Sequence, residues 1–386
     1  MLIVFTPDGV NRGMPPVFPS LLRQGAAIRM RYTLIAMRAA VVVAALAACQ
    51  QNGGGEPAKT TRHDVTSWVG GAERAAIGDL TGDGKAEIAL ADANRLRVVD
   101  STGRELAATD APAGIQVLEI ANGFVLAGWG ETRAHRGAHA RISAYRLDGG
   151  KLIEGVIAEP ETARAEVTAI VPAPDGAVLV AYYESKYVVH SVLARPAATG
   201  WTSSDVASLR MAIGYAYADG QLAVARVNGD DLHVDGDAFV LHADGTRAMI
   251  PTTRGARAIA AGDSDGDGKA ELFLADGWHE NYAQLARGLV TWVHFDGGAP
   301  RAELIEDLAG EFTAGKLVAA DLDGDGKVEL VSNGNKYVRV FKRSGAGWTG
   351  ETLGGPARDI AVGALDGERG ASILIVGEKS EVVRPR

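Results

Sequence analysis

An all-β fold, a seven-bladed β-propeller closed by an N-terminal strand, is predicted by three features of the sequence. A strand–turn–strand unit recurs seven times, the recurrence has the length of a propeller blade, and the two ends of the chain match. Asp79 and Asp263 lie 184 positions apart over four units, a mean of 46 residues, the size of a four-stranded blade. Composition agrees. Hydrophobic residues make up 47% of 386, enough to fill a core, and the 49 glycines follow no Gly-X-Y period.

Taken in chain order, Val65-Thr-Ser-Trp-Val69-Gly-Gly aligns with Glu351-Thr-Leu-Gly-Gly, which precedes the last unit. Residues 64–69 are therefore read as the outer strand of blade seven. Unit one is Ala75-Ala-Ile-Gly-Asp79-Leu-Thr81-Gly-Asp83-Gly-Lys85-Ala-Glu87-Ile-Ala-Leu90. Units two, three and four begin at Val117, Val167 and Met211 and keep the apolar flanks without the acids, with Gly or Asp-Gly at the turn. Unit five is Ile259-Ala-Ala-Gly-Asp263-Ser-Asp265-Gly-Asp267-Gly-Lys269-Ala-Glu271-Leu-Phe-Leu274. Unit six is Val318-Ala-Ala-Asp321-Leu-Asp323-Gly-Asp325-Gly-Lys327-Val-Glu329-Leu-Val331. Unit seven, from Asp359, has room for only three strands, Ile360–Gly363, Ile373–Val376 and Glu381–Val383. The N-terminal strand supplies the fourth, and closure leaves only short, protected sheet edges. A pair of β-sandwiches explains neither seven units nor the terminal match.

The acidic turns read as metal loops. Their pattern places acids at positions 1, 3, 5 and 9 and a backbone carbonyl at position 7. Calcium takes six to eight oxygens, and such a turn wraps them round one point. The candidate ligands are Asp79, Thr81, Asp83, Lys85 and Glu87; Asp263, Asp265, Asp267, Lys269 and Glu271; and Asp321, Asp323, Asp325, Lys327 and Glu329, the lysines through their carbonyls. About three Ca²⁺ sites are expected. Glycines at positions 4 and 6 permit the left-handed backbone. An EF-hand needs a carboxylate at position 12 between helices, but Leu90, Leu274 and Ser332 stand there before strand-like residues. Thr81 removes one charge from loop one, and unit seven, with Ala364 and Ser372 at positions 1 and 9, is not read as a site.

These repeats resemble the FG-GAP/VCBS repeats of integrin-alpha-like propellers over residues 64–386, most strongly in units one, five and six. The resemblance implies calcium between the first and second strands of a blade, where it stabilises the blade while ligands bind elsewhere. Extracellular calcium sites of this sort have Kd on the order of 10⁻⁴–10⁻³ M, so each adds only about 0.5–1.5 kcal/mol at millimolar calcium.

The N-terminus reads as an address. Arg31 and Arg38, then the apolar Ala39–Ala45, then Leu46-Ala-Ala-Cys49 form a secretory signal. Leu-Ala-Ala-Cys resembles the lipobox of bacterial lipoproteins, which implies cleavage before Cys49 and a lipid on its sulfur. Residues 1–29 have no place in such a signal, so Met30 is read as the true start and 1–29 as a misassigned one. Residues 30–48 are then the signal peptide and 49–63 a Gln/Gly-rich tether. The expected location is the bacterial cell envelope, with the lipid as membrane anchor. Net charge is −9 overall; removing residues 1–49, with five arginines and Asp8, leaves −13. That balance excludes a general nucleic-acid binder. The single cysteine excludes a disulfide framework.

The loops between second and third strands lie on the opposite face from the acidic turns and are long in blades two to five. Aromatic and basic residues gather there: Trp129, Arg133, His135 and His139 in blade two, Tyr182 and Tyr183 in blade three, Trp278, His279 and Tyr282 in blade five. Such residues are enriched where proteins bind partners, and they also pack the ends of blades. His135 and His139 lack a third ligand for a metal. The leading expectation is a non-enzymatic binding module for a protein or glycan at the envelope. A second is a carbohydrate-active enzyme resembling polysaccharide lyases, with His, Arg and Tyr as proton-transfer and carboxylate-holding groups. A third is a scaffold of an envelope assembly. Fold alone does not choose among them.

Overall fold

The computed structural model describes residues 61–384 except for 113, 133–135, 162–165, 230–234, 278–286, 297, 309–313 and 366–368. The signal, Cys49, and most of the tether thus lie outside the described residues. Residues 58–386 form one compact unit. No helix among the described residues is long and apolar enough to cross a membrane.

Seven four-stranded antiparallel sheets form a ring. In six of them the four strands follow in chain order. In the seventh, the N-terminal strand Thr61–Asp64 pairs with Glu381–Arg384 and completes the blade. The first strands line the axis: Arg74–Gly78, Ile115–Ala121, Val167–Pro172, Ala212–Ala218, Ala256–Gly262, Ala314–Ala320 and Asp359–Gly363. Each packs beside the next, and that of blade seven returns to that of blade one. All seven expected units fall on the first two strands of a blade.

The core explains why the units read as continuous apolar runs. Seven apolar clusters fill the seven seams between adjacent blades. Successive side chains of a strand point to opposite faces. Ile88 and Leu90 therefore pack toward blade seven while Ala89 and Ala91 pack toward blade two. Second strands such as Glu87–Ala91 and Ser372–Val376 are buried throughout, so neither face demands polar residues. Fourth strands face solvent, and Gly347–Gly354 is largely exposed. A glycine closes the first strand in blades one, five and seven because neighbouring blades touch there. A Cβ on Gly78, Gly262 or Gly363 would stand 2.8, 2.8 or 2.5 Å from Ile120, Val328 or Ile77.

The closing strand differs from expectation. It is Thr61–Asp64, in register with Arg384 to Glu381, and begins inside the expected tether. Thr66–Val69 is a single helical turn. Val65 and Val69 are both buried, and a spacing of four suits a helical turn as well as an alternating strand. Asp64 decides between them: its Oδ1 accepts the Thr66 amide at 3.0 Å and turns the chain.

Candidate functional site

The three acidic loops share one hydrogen-bond plan. The first aspartate caps two amides of its own loop: Asp79 accepts from Gly82 and Gly84, Asp263 from Gly266 and Gly268, and Asp321 from Gly324 and Gly326, all between 2.6 and 2.9 Å. These six glycines all have positive φ, as the wrap requires. The ninth-position glutamate accepts the amide of position 2 with Oε2: Glu87 from Leu80, Glu271 from Ser264, Glu329 from Leu322, at 2.8–2.9 Å. The loops also join blades. The Val328 amide donates to the Asp263 carbonyl, and the Ala371 amide donates to that of Asp321, each at 2.8 Å.

Electrostatics separates the loops. Asp263, Asp265, Asp267 and Glu271 each place a ligand atom within 4.8 Å of the others, and Asp321, Asp323 and Asp325 do the same. Both clusters bring carboxylates close enough together to share a cation. In loop one, Thr81 interrupts the acids, and Asp79, Asp83 and Glu87 do not form such a cluster. Burial pushes the Glu87, Glu271 and Glu329 carboxyls up, and neighbouring aspartates push them further. Burial alone would raise Asp263 too, but amides led by Gly268 and Gly266 hold it below its ordinary value. A buried glutamate crowded by aspartates is a group that a cation would relieve. The donors are all hard oxygens, which suits calcium.

A pH dependence follows. A carboxyl with a raised native pKa binds protons more readily folded than unfolded. Without metal, its penalty is full above the raised value and is relieved as pH falls through it. The depressed groups, Asp263 among them, lose stability only below the ordinary carboxylate range of about 4. In chelator the melting temperature is therefore expected to rise as pH is lowered from neutral toward the ordinary carboxylate range, and in millimolar calcium to fall over the same interval. The rise should shrink in Glu271→Gln; equal slopes with and without calcium would contradict this account.

On the other face, the aromatic residues divide. Trp129 is not on the rim: it is fully buried in the seam between blades one and two. Tyr183 is also a core residue, in the seam between blades three and four, with its hydroxyl 3.8 Å from the Met211 sulfur. Its neighbour Tyr182 points the other way, as strand alternation requires, and meets the His190 ring edge-on at 5.5 Å. His139 is exposed in the blade-two loop. Arg133, His135, Trp278, His279 and Tyr282 lie outside the described residues.

A cup missed by sequence reasoning opens at the axis on this same face. Its volume is about 790 Å³, and first strands of six blades line it where they begin. Arg74, Gln116 and Arg257 face it from these strands; Glu131 and Arg136 come from the blade-two loop, and Glu166 from the entry to blade three. Gln116 fastens two of these pieces. Its Nε2 donates to the Glu131 carbonyl at 2.8 Å, and its Oε1 accepts the Val167 amide at 2.6 Å. Arg74 donates to the Gln116 carbonyl at 3.0 Å and spans blades one and two. The only local signal was a charged residue at the mouth of a small-residue strand, as at Arg74 and Arg257. The cup is polar, of mixed charge, and rigidly framed by strands, so it can seat a polar or charged group with several hydrogen bonds.

No protein-family model matches this chain, and no curated protein matches it significantly.

Proposed function

We propose that this protein is a calcium-stabilised propeller that works as a binding module, seating a protein or glycan partner on the face where the loops of blades two to five gather. The observation that supports the reading is the axial cup. It opens on that face, and the blade-two loop forms part of its wall through Glu131 and Arg136. The acidic loops lie on the opposite face, so calcium in them would brace blades without touching the partner. Loop five supplies four carboxylates for it. The lipobox-like Leu46-Ala-Ala-Cys49 supports display on a bacterial envelope, tethered by lipid.

The test immobilises the full chain, exposes it to envelope extract and to a glycan panel in calcium, and repeats both with Glu131→Lys/Arg136→Glu. Both side chains are exposed, so the fold should survive the exchange. A partner held by the wild type is expected to bind at least about tenfold more weakly to the variant. Equal capture by both proteins would remove this face from the reading. Turnover of an acidic polysaccharide by the wild type would replace it with the lyase alternative.

A further inference from the structure

The three acidic blades differ at one position that the loop motif does not contain. Leu330 pairs with Phe341 on the third strand, Leu272 with Val293 and Ile88 with Val99. One step along each antiparallel pair, the residue opposite the ninth-position glutamate is Lys342 in blade six, His294 in blade five and Asp100 in blade one. Directly opposed side chains share a face of the sheet and lie within reach of each other.

In blade six this places a cation in the loop. Lys342 Nζ bonds Asp323 Oδ2, stands 3.5 Å from Glu329 Oε1, and stands 3.8 Å from Asp325 Oδ2. Glu329 Oε2 is engaged by the Leu322 amide, so Oε1 is the oxygen a metal would take. The ammonium thus contacts acids of positions 3, 5 and 9, three of the four carboxylates in the motif. Blade five is different. His294 stacks on Trp292 at 4.3 Å and turns its Nε2 toward Glu303 at 3.9 Å. Glu271 stays with the three aspartates of its own loop. Arg343 touches one of the four acids of this loop, 3.3 Å from Asp265 Oδ2, while lying over the Trp292 ring. In blade one the opposing residue is itself an acid, Asp100, held by Thr102 and Arg104.

We propose that Lys342 is the resident cation of loop six: its ammonium takes the place on Asp323, Asp325 and Glu329 that a divalent ion requires, so blade six closes without calcium. The motif of loop six is complete, yet the site does not fit a metal while Lys342 lies in it, because two cations cannot share these oxygens without strong repulsion. The proposal rests on the reading of loop five as a calcium site and narrows it to a count: the loop with the most acids and no opposing lysine takes the metal. It also gives blade six a stability that does not vary with calcium concentration.

The experiment titrates calcium into the decalcified full chain by calorimetry and counts bound ions by native mass spectrometry. Asp325→Asn in the wild-type background is expected to leave the count unchanged, whereas Asp267→Asn removes one ion. Lys342→Met is expected to gain one ion, with site-six affinity at least about tenfold above that of the wild type. The gain should vanish in Lys342→Met/Asp325→Asn. Lys342→Gln, which keeps a polar head, provides a second route if the methionine variant folds poorly. In chelator both Lys342 variants should melt below the wild type and recover in calcium. A wild-type count that falls on Asp325→Asn overturns the proposal, as does a Lys342 variant that gains nothing. No change on Asp267→Asn, with a gain in Lys342→Met, would sink the loop-five reading while leaving Lys342 as the occupant of loop six.

Discussion

Replacing Trp129 with alanine is expected to cost about 3–5 kcal/mol of folding stability. The side chain is fully buried at the end of the second strand of blade two, paired with Ile115 on one side and Arg141 on the other. It packs among Leu96, Val98, Leu118 and Tyr145, so its removal opens a cavity in the seam between blades one and two. The strands on both sides are tied into their sheets and can collapse into that space only partly, which keeps the cost at the upper end for a large-to-small change. Denaturant unfolding measures it. The same experiment on the exposed pair Glu131→Lys/Arg136→Glu should show less than about 1 kcal/mol. A stable Trp129→Ala protein that had lost its partner would instead return Trp129 to the binding face.

The misplacement of Trp129 shows where sequence reading stops. The seven strand pairs were legible because each is punctuated by glycine or acid at a turn, and the acidic loops carry their own geometry in their glycines. Which way an aromatic residue points was not legible. In strands buried on both faces there is no polar alternation to mark the outside, so Tyr182 and Tyr183 look alike in sequence although they enter different seams. The closing strand was three residues out because Val65 and Val69 satisfy two periods at once, and only the Asp64 side chain breaks the tie. The axial cup had no compact signature, since six blades contribute to it. Lys342 was out of view for a related reason: it lies 13 positions beyond Glu329, and only strand register brings them together.

The closure of the ring puts the heaviest demand on a single side chain, and Asp359→Ala is expected to cost about 2–4 kcal/mol. Asp359 opens the first strand of blade seven and is 5% exposed. Its Oδ2 accepts the Ala75 amide of blade one at 3.0 Å. Its Oδ1 accepts the Ile360 amide at 2.9 Å and the Lys316 ammonium of blade six at 3.0 Å. One carboxylate therefore joins three consecutive blades at the seam where the two ends of the chain meet. Alanine would leave the Ala75 amide buried without an acceptor, a penalty of about 1–3 kcal/mol by itself. The charge contribution is smaller, because the Lys316 side chain is 35% exposed and also donates to the Ile360 carbonyl at 2.7 Å. Asp359→Asn keeps an acceptor for Ala75 and should cost about half as much. In Asp359→Ala/Lys316→Met the two losses should overlap rather than add, since the partners share one network. The comparison with calcium is the informative one. If loop five alone takes calcium and the ion adds only about 0.5–1.5 kcal/mol, chelation should lower the melting temperature less than Asp359→Ala does. The ring would then be held shut by its terminal strand and this carboxylate, with calcium bracing individual blades. A chelated wild type less stable than Asp359→Ala in calcium would reverse that order and make the metal loops the principal clasp.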